Sequence, residues 1–173
     1  MRPSPEQDAR YTQAAADHGR AMQRLAAAME ANPERRRDLL QDIHVALWRS
    51  FASYDGRCSV RTWVYRVAHN VAASHVDKER RTHHGMVTLD EIEHVADAQN
   101  ISSEVEASEA IARLYTLIRQ LKSPDRQIMT LYLEELDAAS IAEVTGLSPG
   151  AIATRISRLK TQLASMFHEP SNV

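Results

Sequence analysis

Apolar residues return every three or four positions along most of the 173-residue chain, and that period predicts helices throughout. An alanine-rich segment over about residues 8–31 sets Met22, Leu25, Ala26 and Met29 at helical spacing, and Asn32-Pro33 breaks it. A second predicted helix runs from Pro33 to about Phe51, with a stripe of Leu39 or Leu40, Ile43, Leu47 and Phe51. Ser53-Tyr54-Asp55-Gly56 reads as a turn, and Ser59 as the N-cap of a third helix reaching about Glu79. In that helix Val60, Val64, Val67 and Val71 form the inward stripe. Trp63, Arg66, Asn70, Ala73, Asp77 and Arg80 fall on a face well away from it.

Periodicity weakens over residues 82–108, which are also acidic and read as a linker with at most a short helix. From Glu109 it resumes, with Ile111, Leu114, Leu117 or Ile118, and Leu121. Ser123-Pro124-Asp125 then predicts a helix start, followed by Ile128, Leu131, Tyr132 and Leu136. The expected fold is all-α: two small helical domains, 8–84 and 109–168, joined by a flexible linker over 85–108.

The last predicted pair of helices has the grammar of a helix-turn-helix. Asp137 caps a short helix containing Ile141, Ala142 and Val144. Ala142 is small where two helices cross, Gly146 supplies a positive φ, Leu147 plugs the core, and Ser148-Pro149 starts the next helix. Ile152, Ile156, Leu159 and Leu163 line its inner side. Gly150, Thr154, Ser157 and Thr161 line the outer one, with Arg155 and Arg158 at the margins, a composition suited to a DNA major groove. An ordinary αα-hairpin is the competing interpretation.

Charge sharpens this picture. The net charge of −2 hides six Lys/Arg against three Asp/Glu over residues 55–81, four against eleven over 82–137, and three against two over 138–173. Two basic islands flanking an acidic stretch suggest two anion-binding surfaces. Arginine, asparagine and tryptophan on one helix face suit stacking on bases and neutralising phosphates. The alternative puts Trp63 at the edge of the core with Arg66 lying over it.

Other chemistries find little support. The eight histidines include no His-x3-His pair with a glutamate, no glycine-rich phosphate loop is present, and the lone Cys58 cannot form an internal disulfide. No apolar run reaches membrane-spanning length, and the N-terminus lacks a signal-like stretch, so a reducing cytoplasm is expected, with no cofactor and no enzymatic activity.

Taken together, the two ends resemble a bacterial extracytoplasmic-function (ECF) sigma factor. Residues 35–81 resemble the family's region 2 through Asp38-Leu39-x-Gln41-Asp42, Trp48, the Asp55-Gly56-Arg57 turn and Arg61-Thr62-Trp63-Val64-Tyr65-Arg66-Val67-Ala68; residues 117–163 resemble region 4. The resemblance implies that Asp38, Leu39, Gln41 and Asp42 bind the clamp of the largest subunit of core RNA polymerase. It implies that Tyr54, Asp55, Arg57, Cys58 and Ser59 frame a pocket for an extruded base of the minus-ten element. Arg61, Trp63, Arg66, His69 and Asn70 would engage the strand and adjoining duplex. Ser148, Gly150, Thr154, Arg155, Ser157 and Arg158 would read the minus-thirty-five element of promoter DNA, beside the polymerase flap. It also implies an anti-sigma protein as a further partner, and a bacterial cytoplasmic location without membrane insertion. A helix-turn-helix repressor or activator acting without replacing the primary sigma factor is the alternative. Against the family pattern, Ala153 stands where a basic residue is frequent, and His69 where arginine is common.

Overall fold

A computed structural model describes residues 4–83 and 102–168, with side chains placed for 4–82 and 107–168. Within them lie seven helices and no strand: α1 (Pro5–Met29), α2 (Pro33–Ser50), α3 (Val60–His83), α4 (Ser102–Gln120), α5 (Asp125–Leu133), α6 (Ala138–Thr145) and α7 (Pro149–His168). The all-α expectation holds.

The first three helices form one packed unit. Ser4 caps α1 by accepting from the Gln7 amide at 3.1 Å, and Pro5 occupies the first turn, where its missing N–H costs nothing. Asn32 caps α2 through the amides of Glu34 and Arg35, both at 3.0 Å. Met22, Leu25 and Ala26 of α1, Leu39, Ile43 and Leu47 of α2, and Val64, Ala68 and Ala72 of α3 then close a core. Leu39, Ile43 and Leu47 are fully buried, each contributing about 1.5–3 kcal/mol of transfer free energy. Trp48 ties the ends of α1 and α2 together: its indole N–H donates to Asp8 Oδ1 at 2.8 Å, and its carbonyl accepts from Gln7 Nε2 at 2.9 Å.

A salt-bridged cluster seals the other end of this unit. Glu30, at the end of α1, meets His75 Nε2 of α3 at 2.9 Å and Arg35 Nε of α2 at 3.4 Å. Burial alone would raise the Glu30 carboxyl. The His75 bond, the Asn32 amide and the Arg35 charge outweigh it and hold it below the usual carboxylate range.

Helices α4–α7 build the second unit around Ile128, Leu131, Ile141, Val144 and Ile152, and around Leu117, Leu121, Met129, Leu159 and Leu163. The two units touch. Ala21 of α1 and Tyr65 of α3 share the first of these cores, and Arg119 Nη1 of α4 donates to the Ala27 carbonyl of α1 at 2.6 Å.

Four sequence expectations are corrected. Val60 opens α3 at the rim and is exposed; the rest of the expected stripe faces inward, Val64 fully buried with Ala68 and Ala72, and Val67 and Val71 packed partly buried against the same core. Ile111 is 52% exposed, because the buried face of α4 begins only at Leu117. Helix α4 starts at Ser102, inside the expected linker, where Ser102-Ser103-Glu104 carries a start signal that weak periodicity hid. Pro124, not Ser123, takes the cap position of α5, in a helical conformation and with no side-chain cap bond. Residues 84–101 of the expected linker lie outside the described residues.

Candidate nucleic-acid interface

Three surfaces carry the residues singled out from the sequence. On α2, Asp38, Gln41 and Asp42 are exposed on one face, and Val45 extends that line by a turn at 40% exposure. Leu39 departs from the expectation: it points inward at 0% and anchors the helix, so the face available to a partner is the acid–amide row with Val45. A row of two carboxylates and an amide, without ion-pair partners among the described residues and beside an apolar side chain, suits arginines on a partner helix.

The turn before α3 is built by its own side chains. Gly56 takes φ 77°, the left-handed region that a Cβ disfavours. The Tyr54 hydroxyl donates to the Cys58 carbonyl at 2.6 Å, and Asp55 accepts from the Arg57 amide at 3.1 Å and pairs with the Arg57 guanidinium at 2.9 Å. Ser59 caps α3 through the Thr62 amide at 3.1 Å. Phe51 packs edge-on against Tyr54 at 5.9 Å, Trp63 against it at 5.2 Å, and the Arg10 guanidinium lies 5.6 Å from its ring centre. Arg57 stands almost fully exposed at the tip, and Cys58 is half-buried.

Along α3 the expected outward face divides. Trp63 is half-buried against the core, and its indole N–H donates to Ser50 Oγ at 2.9 Å. The core-edge alternative therefore describes it, because Tyr54 and Ser50 wrap the core round to its side. Asn70 is exposed. His69 is not: it is 1% exposed, and neither ring nitrogen has a partner among the described residues. Burial holds its pKa down to about 3, so the ring is neutral.

Arg61 and Arg66 each make a solvent-facing hydrogen bond to the second unit, Arg61 remaining exposed and Arg66 half-buried. Arg61 Nη2 donates to the Glu134 carbonyl at 3.0 Å and Arg66 Nη2 to the Glu143 carbonyl at 2.7 Å. Arg24 of α1 grips the Glu134 carboxylate with two bonds of 2.6 and 2.7 Å. Sequence reasoning missed Arg24, Glu134 and Glu143, since no local pattern relates residues some 110 positions apart.

The third surface is the helix-turn-helix. Asp137 Oδ1 accepts from the Ser140 amide at 2.8 Å, Gly146 ends α6 at φ 77°, and Ser148 Oγ accepts from the Ala151 amide at 3.3 Å. Leu147 packs against the core, and Ile152 and Leu159 bury the inner side of α7. Its outer side is an open helix face carrying Ala153, Thr154, Ser157, Arg158, Thr161 and Gln162, with Ser148 and Gly150 exposed at the leading end. Arg155 and Arg158 converge on one carboxylate, Asp125 at the start of α5, at 2.7 and 2.8 Å. Among the described residues no three His, Cys, Asp or Glu side chains are grouped to hold a metal ion, and no helix is long and apolar enough to cross a membrane.

Known proteins give these surfaces their context. Residues 15–82 match the Sigma-70 region 2 family, and residues 111–163 match Sigma-70, region 4. Among curated relatives, the ECF RNA polymerase sigma-E factor of Haemophilus influenzae is 26% identical over 134 residues, covering 73% of this chain and 71% of the relative. ECF RNA polymerase sigma factor SigM of Mycobacterium tuberculosis is 25% identical over 150 residues, covering 86% and 72%. ECF RNA polymerase sigma factor SigW of Bacillus subtilis is 24% identical over 151 residues, covering 82% and 80%. CnrH, solved in complex with the cytosolic domain of CnrY, shares the fold with a TM-score of 0.63 at 20% identity, over 90% of this chain and 86% of that one.

A three-helix unit followed by a helix-turn-helix unit, matching those two regions in order, is the build of a sigma-70 family protein. Within that family the chain belongs to the extracytoplasmic-function sigma factors, and it directs transcription initiation. Members are initiation factors rather than enzymes, and their partners are RNA polymerase and promoter DNA.

Proposed function

We propose how the three surfaces divide that work. The α2 row of Asp38, Gln41, Asp42 and Val45 docks on the clamp of the polymerase largest subunit, with Leu39 holding the helix rigid beneath it. The 54–59 turn, with Tyr54, Asp55, Arg57, Cys58 and Ser59, receives an extruded base of the minus-ten element, while Arg61, Arg66 and Asn70 follow the strand. Trp63 acts through Tyr54 rather than by its own stacking. Unstacking a base costs a few kcal/mol, and a pocket already shaped by Tyr54 and Gly56 offsets it. Helix α7 enters the minus-thirty-five major groove near the flap with Thr154, Ser157, Arg155 and Arg158, its leading end set by Ser148 and Gly150.

The observation that carries this reading is that an exposed, preshaped turn and an open recognition-helix face stand on separate helical units of one chain. A bacterial cytoplasmic setting and an anti-sigma partner follow from the family. The likeness to CnrH, solved with the cytosolic domain of CnrY, supports a protein partner of that kind.

Run-off transcription with core polymerase on genomic fragments tests the division. The wild-type chain should give defined start sites, and the Asp38→Arg, Asp42→Arg double variant should lose core binding and transcripts while keeping its fold. Start sites that survive that variant, or tight operator binding by the chain alone with no initiation, would remove the reading.

A further inference from the structure

Asp125 opens α5, and each of its carboxylate oxygens takes one arginine of α7. Oδ1 accepts from Arg155 Nη1 at 2.7 Å, and Oδ2 accepts from Arg158 Nη2 at 2.8 Å. Those arginines stand three residues apart on one helix, close enough to repel each other without a shared anion. The positive end of the α5 dipole favours a carboxylate at that position, and the Asp125 side chain is only 21% exposed. Arg158 supplies the positive charge of the open α7 face. Two hydroxyls beside it, those of Thr154 and Thr161, donate back to α7 carbonyls at 3.0 and 3.3 Å. A guanidinium carries five N–H donors in a rigid plane, and Asp125 engages one of them on Arg158. The donors left over suffice for the paired acceptors of a base edge.

We propose that Asp125 is a positioning residue that sets upstream specificity: from the start of α5 it fixes the Arg158 guanidinium for a base edge, with Arg155 as its second anchor, and it withholds both arginines from the phosphates of other sequences. This rests on the assignment of α7 to the minus-thirty-five element. An untethered arginine swings to whichever phosphate is nearest, and such contacts carry no sequence information. An arginine held by a carboxylate has its orientation settled before DNA arrives, so base reading costs less ordering. A phosphate has to displace Asp125 or sit beside its negative charge, whereas a base edge meets donors that Asp125 leaves open. The same carboxylate therefore weakens binding to arbitrary duplex and sharpens the choice among sequences. Solvent-facing ion pairs contribute little to stability, so Asp125 acts on recognition rather than on the fold.

Transcription by the chain with core polymerase tests this on a pool of one mapped promoter, its minus-thirty-five element randomised and a barcode placed in each transcript. Wild type should prefer one base at the position Arg158 meets, and Arg158→Ala should lose that preference. Asp125→Asn should reduce it by about fivefold or more, the lower end for a lost bidentate base contact, with the thermal midpoint nearly unchanged. Asp125→Ser should act in the same way, and Asp125→Glu, which keeps the carboxylate, should recover part of the preference. In fluorescence anisotropy with labelled poly(dI-dC), the Asn variant should bind more tightly than wild type. In the Arg158→Ala background, Asp125→Asn should cause no further loss of preference; a further loss would make Asp125 a purely structural residue and overturn the proposal. Full preference kept by Asp125→Asn while Arg158→Ala loses it would overturn it too, leaving α7 as the reader, as would an unchanged poly(dI-dC) affinity. If neither variant altered any upstream preference, the α7 assignment itself would fall, and the positioning role with it.

Discussion

His69 shows how far a single side chain can depart from the pattern around it. The family resemblance put it among the residues that engage the strand, yet it is buried and neutral, with no hydrogen bond among the described residues. A histidine whose folded pKa of about 3 lies below its ordinary 6.5 binds fewer protons folded than unfolded. Above about pH 6.5 it has no effect on stability. As pH falls from there toward 3 the unfolded chain gains a proton that the folded chain refuses, at up to about 1.4 kcal/mol per pH unit. Urea unfolding between pH 7 and pH 5, taken here as roughly the window in which histidine responds, should therefore show a stability decline that His69→Leu reduces. An equal decline in both proteins would mean the ring is accessible. Gly146 makes a simpler case. With φ at 77°, Gly146→Ala should cost about 1–2 kcal/mol, read as a lower thermal midpoint, and a neutral result would place that backbone elsewhere. The sequence announced Gly146, because a glycine between two capping signals has a local reason to exist. It could not announce His69, whose burial depends on what packs over α3.

Among the elements, those with local signals were legible. Asn32-Pro33, Asp137 and Ser148-Pro149 mark helix starts where side-chain caps satisfy free amides, and the stripes of α2 and α7 sit where their period put them. Misreadings cluster where a turn or a second element intervenes. Trp63 faces away from the valines by angle, but Tyr54 and Ser50 carry the core round to it. Trp63→Ala should accordingly lose roughly 2–3 kcal/mol of stability, and Trp63→Phe much less. It should impair duplex opening by loosening Tyr54, a defect that 2-aminopurine fluorescence at the minus-ten element would follow. Undiminished opening with Trp63→Ala would detach the tryptophan from that turn. In the second unit, Ile141→Ala should cost about 2–5 kcal/mol by emptying a fully buried site between α6 and α7. Transcription should then fall most at promoters that rely on the upstream element, with core-polymerase affinity nearly unchanged.

At the scale of the whole molecule, composition suggested two basic surfaces and an acidic stretch but not that one surface would face the other unit. Pairings such as Arg24 with Glu134 form only after both units have folded, so no window of sequence contains them. The charge balance still bears on behaviour. With a net charge of −2, and with Arg155 and Arg158 both engaged by Asp125, the free chain should bind duplex weakly and lose affinity steeply with salt. Each phosphate neutralised contributes a slope of about −0.9 on a log–log plot, so Arg155→Ala with Arg158→Ala should flatten that slope by nearly 2. Fluorescence anisotropy at several potassium chloride concentrations measures it, and an unchanged slope would take those arginines out of the contact.

The loop ahead of α3 has a kinetic consequence. Because the Tyr54 hydroxyl clasps the Cys58 carbonyl and Gly56 already adopts its left-handed bend, the entropy of ordering that loop is surrendered when the protein folds, not when a base arrives. Base capture there should thus be limited by how often the duplex breathes, rather than by a search among loop shapes.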